Sequence, residues 1–319
     1  MKSKNTDWLP LAGLFLAMML WGSSFIALKL AFRSYDPMVV IFGRMAIASL
    51  GFLLLLPRFK VVAYRKGDWK PLLLLAVFEP CLYFIFEAWA LCETTASQAG
   101  MIVAMLPLLV ALAAWLFLQE HISRSTLFGF LLAIGGAIWL SAGASSSEHA
   151  PNPALGNFLE FLAMIFAAGY TIMVKKLSPR YSATFITAVQ VFVGSVFFFP
   201  LMFLPPTQLP VRFDPLGAAA VLYLGALVTV GAYGLYNYGV SRIPASQASA
   251  FTNLIPVFAV FLGWLILGES FNPGQYLAGV LVFAGVLISQ DPHRSEINGS
   301  AKNGWRSRLS PRLSRHRPD

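Results

Sequence analysis

The sequence has little charge. Charged residues make up 12 % of its 319 residues, whereas soluble domains carry roughly 25 %. Hydrophobic residues make up 57 %, and no soluble fold can hide so much apolar surface from water. We therefore exclude a soluble globular protein and predict an all-α integral membrane protein, in which lipid replaces water around much of the chain.

Cysteine and histidine are also scarce, with two and four residues respectively. Cys81 and Cys92 belong to one apolar segment, and a helix would hold them about 16 Å apart, far beyond the reach of a disulfide. We find no paired histidine–carboxylate cluster, nucleophile motif or phosphate-binding loop in the sequence. The sequence therefore predicts no metal site, no cofactor and no enzymatic activity, and a membrane-embedded enzyme is the weaker alternative. The histidines fall in predicted loops and in the tail: His121, His149, His293 and His316.

Apolar segments long enough to cross a membrane recur along the chain. Each has close to the ~20 residues that a helix needs to cross about 30 Å of hydrocarbon. Several are apolar on every side, as helices of a lipid-embedded bundle are. We predict ten transmembrane helices. Their spans are Pro10–Phe32, Pro37–Leu56, Pro71–Leu91, Ala96–Leu118, Thr126–Gly143, Leu155–Val174, Ser182–Leu204, Pro215–Val240, Ala245–Leu267 and Gly274–Ser289.

The distribution of lysine and arginine predicts the orientation of these helices. If the N-terminus is cytoplasmic, nearly all of the 23 basic residues fall in cytoplasmic segments or in the tail after Asp291. Only Arg33 and Arg212 fall on the opposite side, while Lys29 and Arg44 lie within spans. Because cytoplasmic loops are enriched in basic residues, both termini are predicted to be cytoplasmic. The net charge of +9 then comes from basic loop residues that set the topology and from a basic tail that is attracted to anionic lipid. It predicts no nucleic-acid partner.

A stretch of 25 residues occurs twice, at 96–120 and 245–269. The constant offset of 149 pairs nine identical residues, among them Trp115 with Trp264, where chance would give roughly two. Two copies so far apart indicate two similar halves. Because each half holds five predicted helices, an odd number, the second half enters the membrane inverted relative to the first. Inverted repeats are typical of secondary transporters, which bind substrate near the midplane between the halves.

These spans predict the organisation of the chain. The tail is rich in arginine, serine and proline, a composition that predicts disorder. The predicted segments are a cytoplasmic N-terminus at 1–9, a first five-helix repeat at 10–143, a periplasmic linker at 144–154, a second five-helix repeat at 155–290 and a basic, disordered cytoplasmic tail at 291–319.

Several motifs resemble those of one family. Residues 21–29, WGSSFIALK, resemble the opening signature of the EamA-type transporters of the drug/metabolite transporter superfamily, and Arg44, the prolines of spans four and nine and the Leu-Gly-Glu at 267–269 are also similar. The resemblance covers about residues 10–289. It implies a basket of five plus five inverted helices that moves small metabolites by alternating access, with a cavity lined mainly by spans one, three, four, six, eight and nine. Residues 118–120 lack the glycine that precedes Glu269, so the two helix ends are predicted to bend differently.

Glu79 is the sharpest single candidate for a transport role. Counted from Pro71, it lies about 12 Å into the third span, near the bilayer centre. A carboxylate exposed to lipid there costs at least about 2.5 kcal/mol, so we expect it to face a cavity or to carry a proton. Tyr83 and Glu87 follow at helical spacing and extend a polar stripe. This stripe predicts a substrate-binding or coupling face, and the alternative is a structural carboxyl bonded to a neighbouring helix.

Other candidates for the same face lie on spans one, two, six and eight. Arg44 could pair with Glu79 or Glu87 or hold a substrate carboxylate, or it could be structural and bind carbonyl groups. The aromatic, hydrogen-bonding stripe of span eight predicts a wall for a small amphipathic solute, although such stripes more often serve packing. The further candidates are Trp21, Tyr170, Tyr233, Tyr236 and Asn237.

Two prolines and two glutamates at matched places in the repeats are candidates for moving parts. Pro107 and Pro256 interrupt the helical hydrogen bonds at equal depths, which favours a hinge or kink. Glu120 and Glu269 end their helices near the interface, where the pattern fits both capping and gating. Glu160 falls within the first two turns of span six, and we interpret it as an acid favoured by the helix dipole.

Small residues recur at every seventh position on spans five and ten. They are Gly129 and Gly136 on one span and Ala278 and Gly285 on the other. This spacing places each pair on one helix face, which predicts close helix packing, either between the halves or between protomers.

Together these features predict a secondary transporter that exports small metabolites such as amino acids, with proton coupling through Glu79 or Glu87. The alternatives are an uncoupled facilitator and a multidrug-type exporter. A membrane receptor or scaffold is less favoured, because no loop is long enough for a folded soluble domain. The predicted partners are a small-molecule solute and the lipid bilayer, and monomer and homodimer are both open. We expect a multi-pass protein of the cell membrane, the inner membrane of a bacterium.

Overall fold

A computed structural model of the chain describes residues 8–55, 64–118, 124–243 and 245–289. Within these ranges the regular structure is helical, and the only β pairing is an isolated bridge between Ser147 and Ala150. The prediction of an all-α fold is thereby confirmed for these residues. Most of the predicted N-terminal segment, the tail after residue 289 and Glu120 lie outside the described residues.

The helices follow the apolar segments of the sequence. Nine of those in the described residues are long and apolar enough to cross a membrane, and the last, with 17 residues, is shorter. They are α1, Trp8–Phe32; α2, Pro37–Leu55; α3, Trp69–Glu93; α4, Ala96–Phe117; α5, Arg124–Ala142; α6, Pro153–Leu177; α7, Ala183–Leu201; α8, Pro215–Arg242; α9, Gln247–Leu267; and α10, Pro273–Ser289.

Polar caps explain where three of these helices begin. The side chains of Asn152, Ser182 and Asp214 each accept a hydrogen bond from a backbone N–H in the first turn of α6, α7 and α8. The first turn of a helix has no internal partners for its N–H groups, so such caps stabilise its start. Pro153 and Pro215 follow two of the caps, where the missing N–H of proline costs nothing.

Helices α3 and α8 each contain a π-helical turn. In α3 the turn covers Val77–Leu82, and Glu79 within it has non-helical dihedral angles, φ −149° and ψ 116°. Pro80 explains this break, because proline lacks an N–H and pushes the residue before it towards extended backbone. In α8 the turn covers Leu224–Ala232. The offset of 149 maps the first turn into the second, so both halves depart from regular α-helix at the same place.

Helices α4 and α9 are interrupted just before their prolines. Helix α4 consists of Ala96–Val103 and a second piece that begins at Leu106, so Pro107 lies in its first turn. In α9 a 3₁₀ turn precedes the piece Ile255–Leu262, which holds Pro256 in its first turn. Each proline therefore lies where its missing N–H is tolerated, directly after a break in the helix.

Helices α5 and α10 pack against each other through the small residues spaced by seven. A Cβ atom on Gly136 would lie 2.8 Å from the backbone nitrogen of Val282 and 2.9 Å from the carbonyl oxygen of Ala278. A Cβ on Gly285 would lie 2.7 Å from the nitrogen of Ala133. The backbones thus touch across this seam, as in other small-residue helix pairs of membrane proteins. It joins the two halves of one chain.

The connections α2–α3 and α6–α7 meet at one end of the bundle. The Asp68 carboxylate forms an ion pair with Arg180 and accepts a hydrogen bond from the Tyr181 hydroxyl. The guanidinium of Arg180, and then the hydroxyl of Tyr181, hold the pKa of Asp68 well below its ordinary value, because both stabilise the ionised carboxylate. This cluster fastens the first half to the second outside the membrane-spanning helices.

Candidate functional site

A cavity lies between the broken helices, with an empty volume of about 480 Å³. Residues of α1, α2, α3, α4, α6, α8 and α9 line it, which adds α2 to the spans that the family resemblance implies. Eight of the nine substrate or coupling candidates line this cavity: Trp21, Arg44, Glu79, Tyr83, Glu87, Tyr170, Tyr233 and Tyr236.

Glu79 lies in the π-helical turn of α3, where the broken backbone turns its side chain into the cavity. Its Oε1 accepts a hydrogen bond of 2.5 Å from the Tyr233 hydroxyl on α8. The break also frees the backbone carbonyl of Glu79, which accepts a hydrogen bond of 3.0 Å from Gln190 Nε2 on α7. Buried polar groups need hydrogen-bond partners. Pro80 interrupts the helical hydrogen bonds, and Gln190 supplies a donor to the carbonyl group that is left without one. Sequence reasoning missed Gln190, whose only signal was a polar residue within an apolar span.

Glu87 and Arg44 form an ion pair across the cavity. The distance from Arg44 Nη1 to Glu87 Oε2 is 3.8 Å, and Glu87 Oε1 accepts a hydrogen bond of 2.8 Å from the Tyr83 hydroxyl. Arg44 also donates from Nε to Thr229 Oγ1 at 3.1 Å and lies 4.1 Å from the ring centroid of Phe84. The remaining guanidinium N–H groups make no hydrogen bond with the described residues. Arg44 therefore has donors left for an anionic group of a solute.

Aromatic side chains form the wall opposite the carboxyl groups. The ring of Trp21 lies 5.2 Å from that of Tyr233 and 4.8 Å from that of Tyr236, and Tyr170 stacks on Tyr236 at 6.2 Å. The buried indole N–H of Trp21 has no hydrogen-bond partner among the described residues. Such a wall binds the apolar part of a small solute and offers faces for a cation.

Asn237 lies behind the wall and does not line the cavity. Its Oδ1 accepts a hydrogen bond of 2.6 Å from the Tyr170 hydroxyl. Its Nδ2 donates to Thr187 Oγ1 at 2.8 Å and to Gln190 Oε1 at 3.1 Å. Asn237 thus positions Tyr170 from a second layer, and we correct its predicted place in direct contact with the cavity.

Two of the predicted moving parts, Pro107 and Pro256, lie next to the cavity. Leu106 and Ile255, which directly precede Pro107 and Pro256, both line the cavity. Far from the cavity, the carboxylate of Glu269 accepts hydrogen bonds from the backbone nitrogens of Ala96 at 2.9 Å and Ser97 at 2.8 Å. Glu269, at the end of α9 in one half, therefore caps the start of α4 in the other.

Glu160 is the acidic residue that sequence reasoning set aside. It is fully buried on α6, and neither carboxyl oxygen has a hydrogen-bond partner among the described residues. A helix dipole acts on the first turn only and does not account for a buried, unpartnered carboxyl. The interpretation of Glu160 as an acid held by the dipole is therefore incomplete.

A cavity with a few polar groups, set among interrupted helices of a multi-pass membrane protein, is typical of transporters. The chain belongs to the EamA-like transporter family: the sequence profile of that family matches residues 8–142 and again residues 154–289. The family domain is thus present twice, and the predicted resemblance is confirmed.

Relatives agree with this assignment. The uncharacterized transporter YetK of Bacillus subtilis is 31 % identical over 277 residues, which cover 86 % of this chain and 84 % of YetK. An uncharacterized transporter of Archaeoglobus fulgidus is 26 % identical over 275 residues, 86 % of this chain and 94 % of its own. A protein of Streptantibioticus cattleyicolor named "Probable terminal-alkyne amino-acid exporter" is 24 % identical over 289 residues, 90 % of this chain and 94 % of its own. This protein is accordingly a multi-pass transporter of the cell membrane.

The fold is also found among solved structures. One crystal structure aligns with a TM-score of 0.64 at 18 % identity and covers 88 % of this chain and 96 % of its own. At this identity the likeness concerns the fold alone.

Proposed function

We propose that this transporter exports small amphipathic metabolites, amino acids among them, by proton-coupled alternating access. Ten helices cross the membrane as two inverted halves, with both termini in the cytoplasm. The distribution of basic residues and the matched breaks in α3 and α8 support this topology. The observation that carries the function is a cavity that combines Arg44, two buried glutamates and an aromatic wall.

The cavity suits an amino acid in three respects. The free N–H groups of Arg44 can bind a carboxylate, the aromatic wall can pack against a side chain, and the buried carboxyl groups favour an amine. The name of the Streptantibioticus relative, an amino-acid exporter, points in the same direction. Among the described residues, Arg44 is the sole cation that lines the cavity, together with Glu79 and Glu87. A solute carboxylate that binds Arg44 therefore changes the electrostatic environment of both acids.

Glu79 is the residue through which we propose that protons are coupled. It lies in the break of α3, where a change of backbone would move its carboxyl group between the two sides of the site. Among the described residues, only Tyr233 forms a hydrogen bond with its side chain, so the group can exchange a proton without disrupting an ion pair. An uncoupled facilitator would not need this acid.

The test is solute transport by purified protein in proteoliposomes, with Glu79→Gln beside wild type. We expect wild type to accumulate a labelled amino acid against its gradient when a pH gradient is imposed, and Glu79→Gln to lose accumulation while it retains counterflow. Glu93→Gln is the matched control, because Glu93 lies on the same helix outside the cavity.

Three other outcomes would contradict parts of the proposal. No counterflow by wild type across an amino-acid panel would overturn the proposed solute class. Counterflow without pH-driven accumulation in wild type would make the protein a facilitator. Accumulation that survives Glu79→Gln would remove Glu79 from the coupling step.

A further inference from the structure

The buried carboxyl group of Glu160 is not explained by the cavity or by the helix that carries it. Its exposed fraction is 0 %, and both oxygens lack a hydrogen-bond partner among the described residues. Burying an ionised carboxylate without a partner costs so much free energy that the group takes up a proton or finds a cation. No lysine or arginine pairs with it in the part of the chain that the structure describes.

The packing of α6 against α3 places Glu160 beside Glu87. The two helices run antiparallel: Gly156 packs against Thr94 and Ala90 near one end, and Gly169 packs against Phe78 further along. The distance from a Cβ on Gly156 to the Ala90 carbonyl oxygen would be 2.8 Å. Between these contacts the register brings Glu160 opposite the turn of α3 that holds Glu87, within the range of their electrostatic interaction.

Glu160 also lies on the face of α6 that lines the cavity. Met164, one turn further along the helix, is a lining residue. One turn in the other direction, Asn157 donates to Gln98 Oε1 at 2.9 Å and to Ser141 Oγ at 3.0 Å, and it accepts from Thr94. Glu160 thus connects the cavity with a polar cluster that leads towards the end of the bundle where α6 begins.

The titratable and charged groups around this carboxyl are few. Helix α3 presents Glu87 and Tyr83, and Arg44 of α2 binds Glu87. Helices α4 and α5 contribute Gln98 and Ser141 through Asn157, and neither titrates. Glu79 lines the same cavity, so one cation faces three carboxyl groups, and the neutral arrangement of the site holds two protons on the acids.

We infer that Glu160 is a further coupling residue, which passes a proton to and from Glu87. In this step the carboxyl group of Glu160 first turns to within hydrogen-bond reach of Glu87; its O–H bond then breaks, and the proton forms an O–H bond with the carboxylate of Glu87, which is thereby released from Arg44. Arg44 is then free for an anionic group of the solute. No electron is transferred, and no co-reactant is needed. This inference rests on the proposed coupled function and extends it from the cavity to the end of the bundle where α6 begins.

The first experiment measures proton movement with a pH-sensitive dye inside proteoliposomes, together with solute counterflow. We expect Glu160→Gln to lower solute-driven proton movement by about tenfold or more, as does the loss of a positioned proton donor. Counterflow, which needs no net proton transfer, should fall less than proton movement. Glu93→Gln again serves as the control and should keep both.

The outcomes separate the two proposals. If wild type moves no protons, the coupled function fails, and the role of Glu160 fails with it. If wild type is coupled and Glu160→Gln remains fully coupled, only the role of Glu160 is overturned. Loss of coupling with retained counterflow supports it.

Infrared spectroscopy detects the protonation of the Glu160 carboxyl group without a transport assay. We expect wild type at neutral pH to show the C=O band of a buried, protonated carboxyl group that Glu160→Gln lacks. If Glu160→Gln fails to fold, the double variant Glu79→Gln/Glu87→Gln keeps Glu160 as the acid beside the cavity. A retained band then supports the inference, and absence of the band in wild type or in the double variant overturns it.

Discussion

Helices α3 and α8 occupy equivalent places in the two halves and differ in their chemistry. Both contain a π-helical turn at positions that the offset of 149 relates. In α3 the break and the turns after it hold Glu79 and Glu87, whereas α8 holds Thr229 and Tyr233. The two halves share the π-helical turn and differ in the side chains at and after it.

The difference makes the two halves complementary. The hydroxyl group of Tyr233 from α8 donates to Glu79 of α3, and Thr229 of α8 accepts from Arg44, which binds Glu87 of α3. The second half thus supplies hydroxyl groups to Glu79 and Arg44 of the first half, whereas Glu87 receives its hydrogen bond from Tyr83 of its own half. An asymmetric site between symmetric backbones can bind a solute in one orientation while both halves move in similar ways.

The largest effect should come from forcing the halves apart at the α5–α10 seam. Gly136→Val places a side chain against the backbone of α10, and we expect loss of folded, monodisperse protein because backbone atoms cannot move aside. Gly135→Val is the matched control, since a Cβ there meets nothing within 4 Å. Size-exclusion chromatography and thermal unfolding in detergent would measure this loss. Equal behaviour of the two variants would contradict the close packing of α5 against α10.

A smaller effect should follow from breaking the ion pair between α2 and α3. Arg44→Gln leaves Glu87 buried without its cation, which costs about 3–5 kcal/mol when such a pair is broken from one side. The double variant Arg44→Gln/Glu87→Gln should recover most of this loss. Unfolding in denaturant would measure both, and a double variant as unstable as Arg44→Gln would show that the pair is not what Arg44 stabilises.

The next test removes the difference between α3 and α8 at one matched position. Tyr233 corresponds to Phe84 at the offset of 149, so Tyr233→Phe makes the halves alike there. Loss of the hydrogen bond to Glu79 should cost about 1.5–3 kcal/mol if the acid is ionised, and less if it is protonated. Unfolding measurements beside Tyr276→Phe, a change on an exposed residue, would give the value, and no difference would mean that Glu79 does not need this donor.

The smallest effect should lie outside the membrane, where Asp68 joins the halves through Arg180. The pKa of Asp68 is lowered in the folded protein, so its contribution to stability is present above the ordinary value of 3.8 and is lost as the pH falls through the folded value. At neutral pH, Asp68→Asn should lower the melting temperature slightly, because the pair is partly exposed. The difference from wild type should shrink in acid. A difference that is independent of pH would exclude the ion pair as its source.

Periodicity and residue size made much of this fold predictable. The apolar segments indicated the helices to within a few residues, and the spacing of Gly129, Gly136, Ala278 and Gly285 indicated a tight seam, because small residues seven apart return to one helix face. The structure also brings eight of the nine predicted substrate or coupling residues to one cavity. Their roles in transport stay predictions.

Features that depend on contacts between distant segments could not be read from the sequence. The π-helical turn of α8 contains no proline, so no local signal marked it. Glu160 was counted from a helix start at Leu155, which put it near the interface. The position of Glu160 beside Glu87 became visible only through the register of α6 against α3. Likewise, nothing in the sequence paired Asp68 with Arg180.

The seam between α5 and α10 also has a consequence for biosynthesis. Helix α5 ends at Ala142 and α10 ends at Ser289, so a ribosome adding about 5–20 residues per second needs roughly 7–30 s to make the intervening chain. During that interval the glycine face of α5 is in the bilayer without its final partner. The first half is therefore inserted with an open docking face that only α10, made much later, can cover.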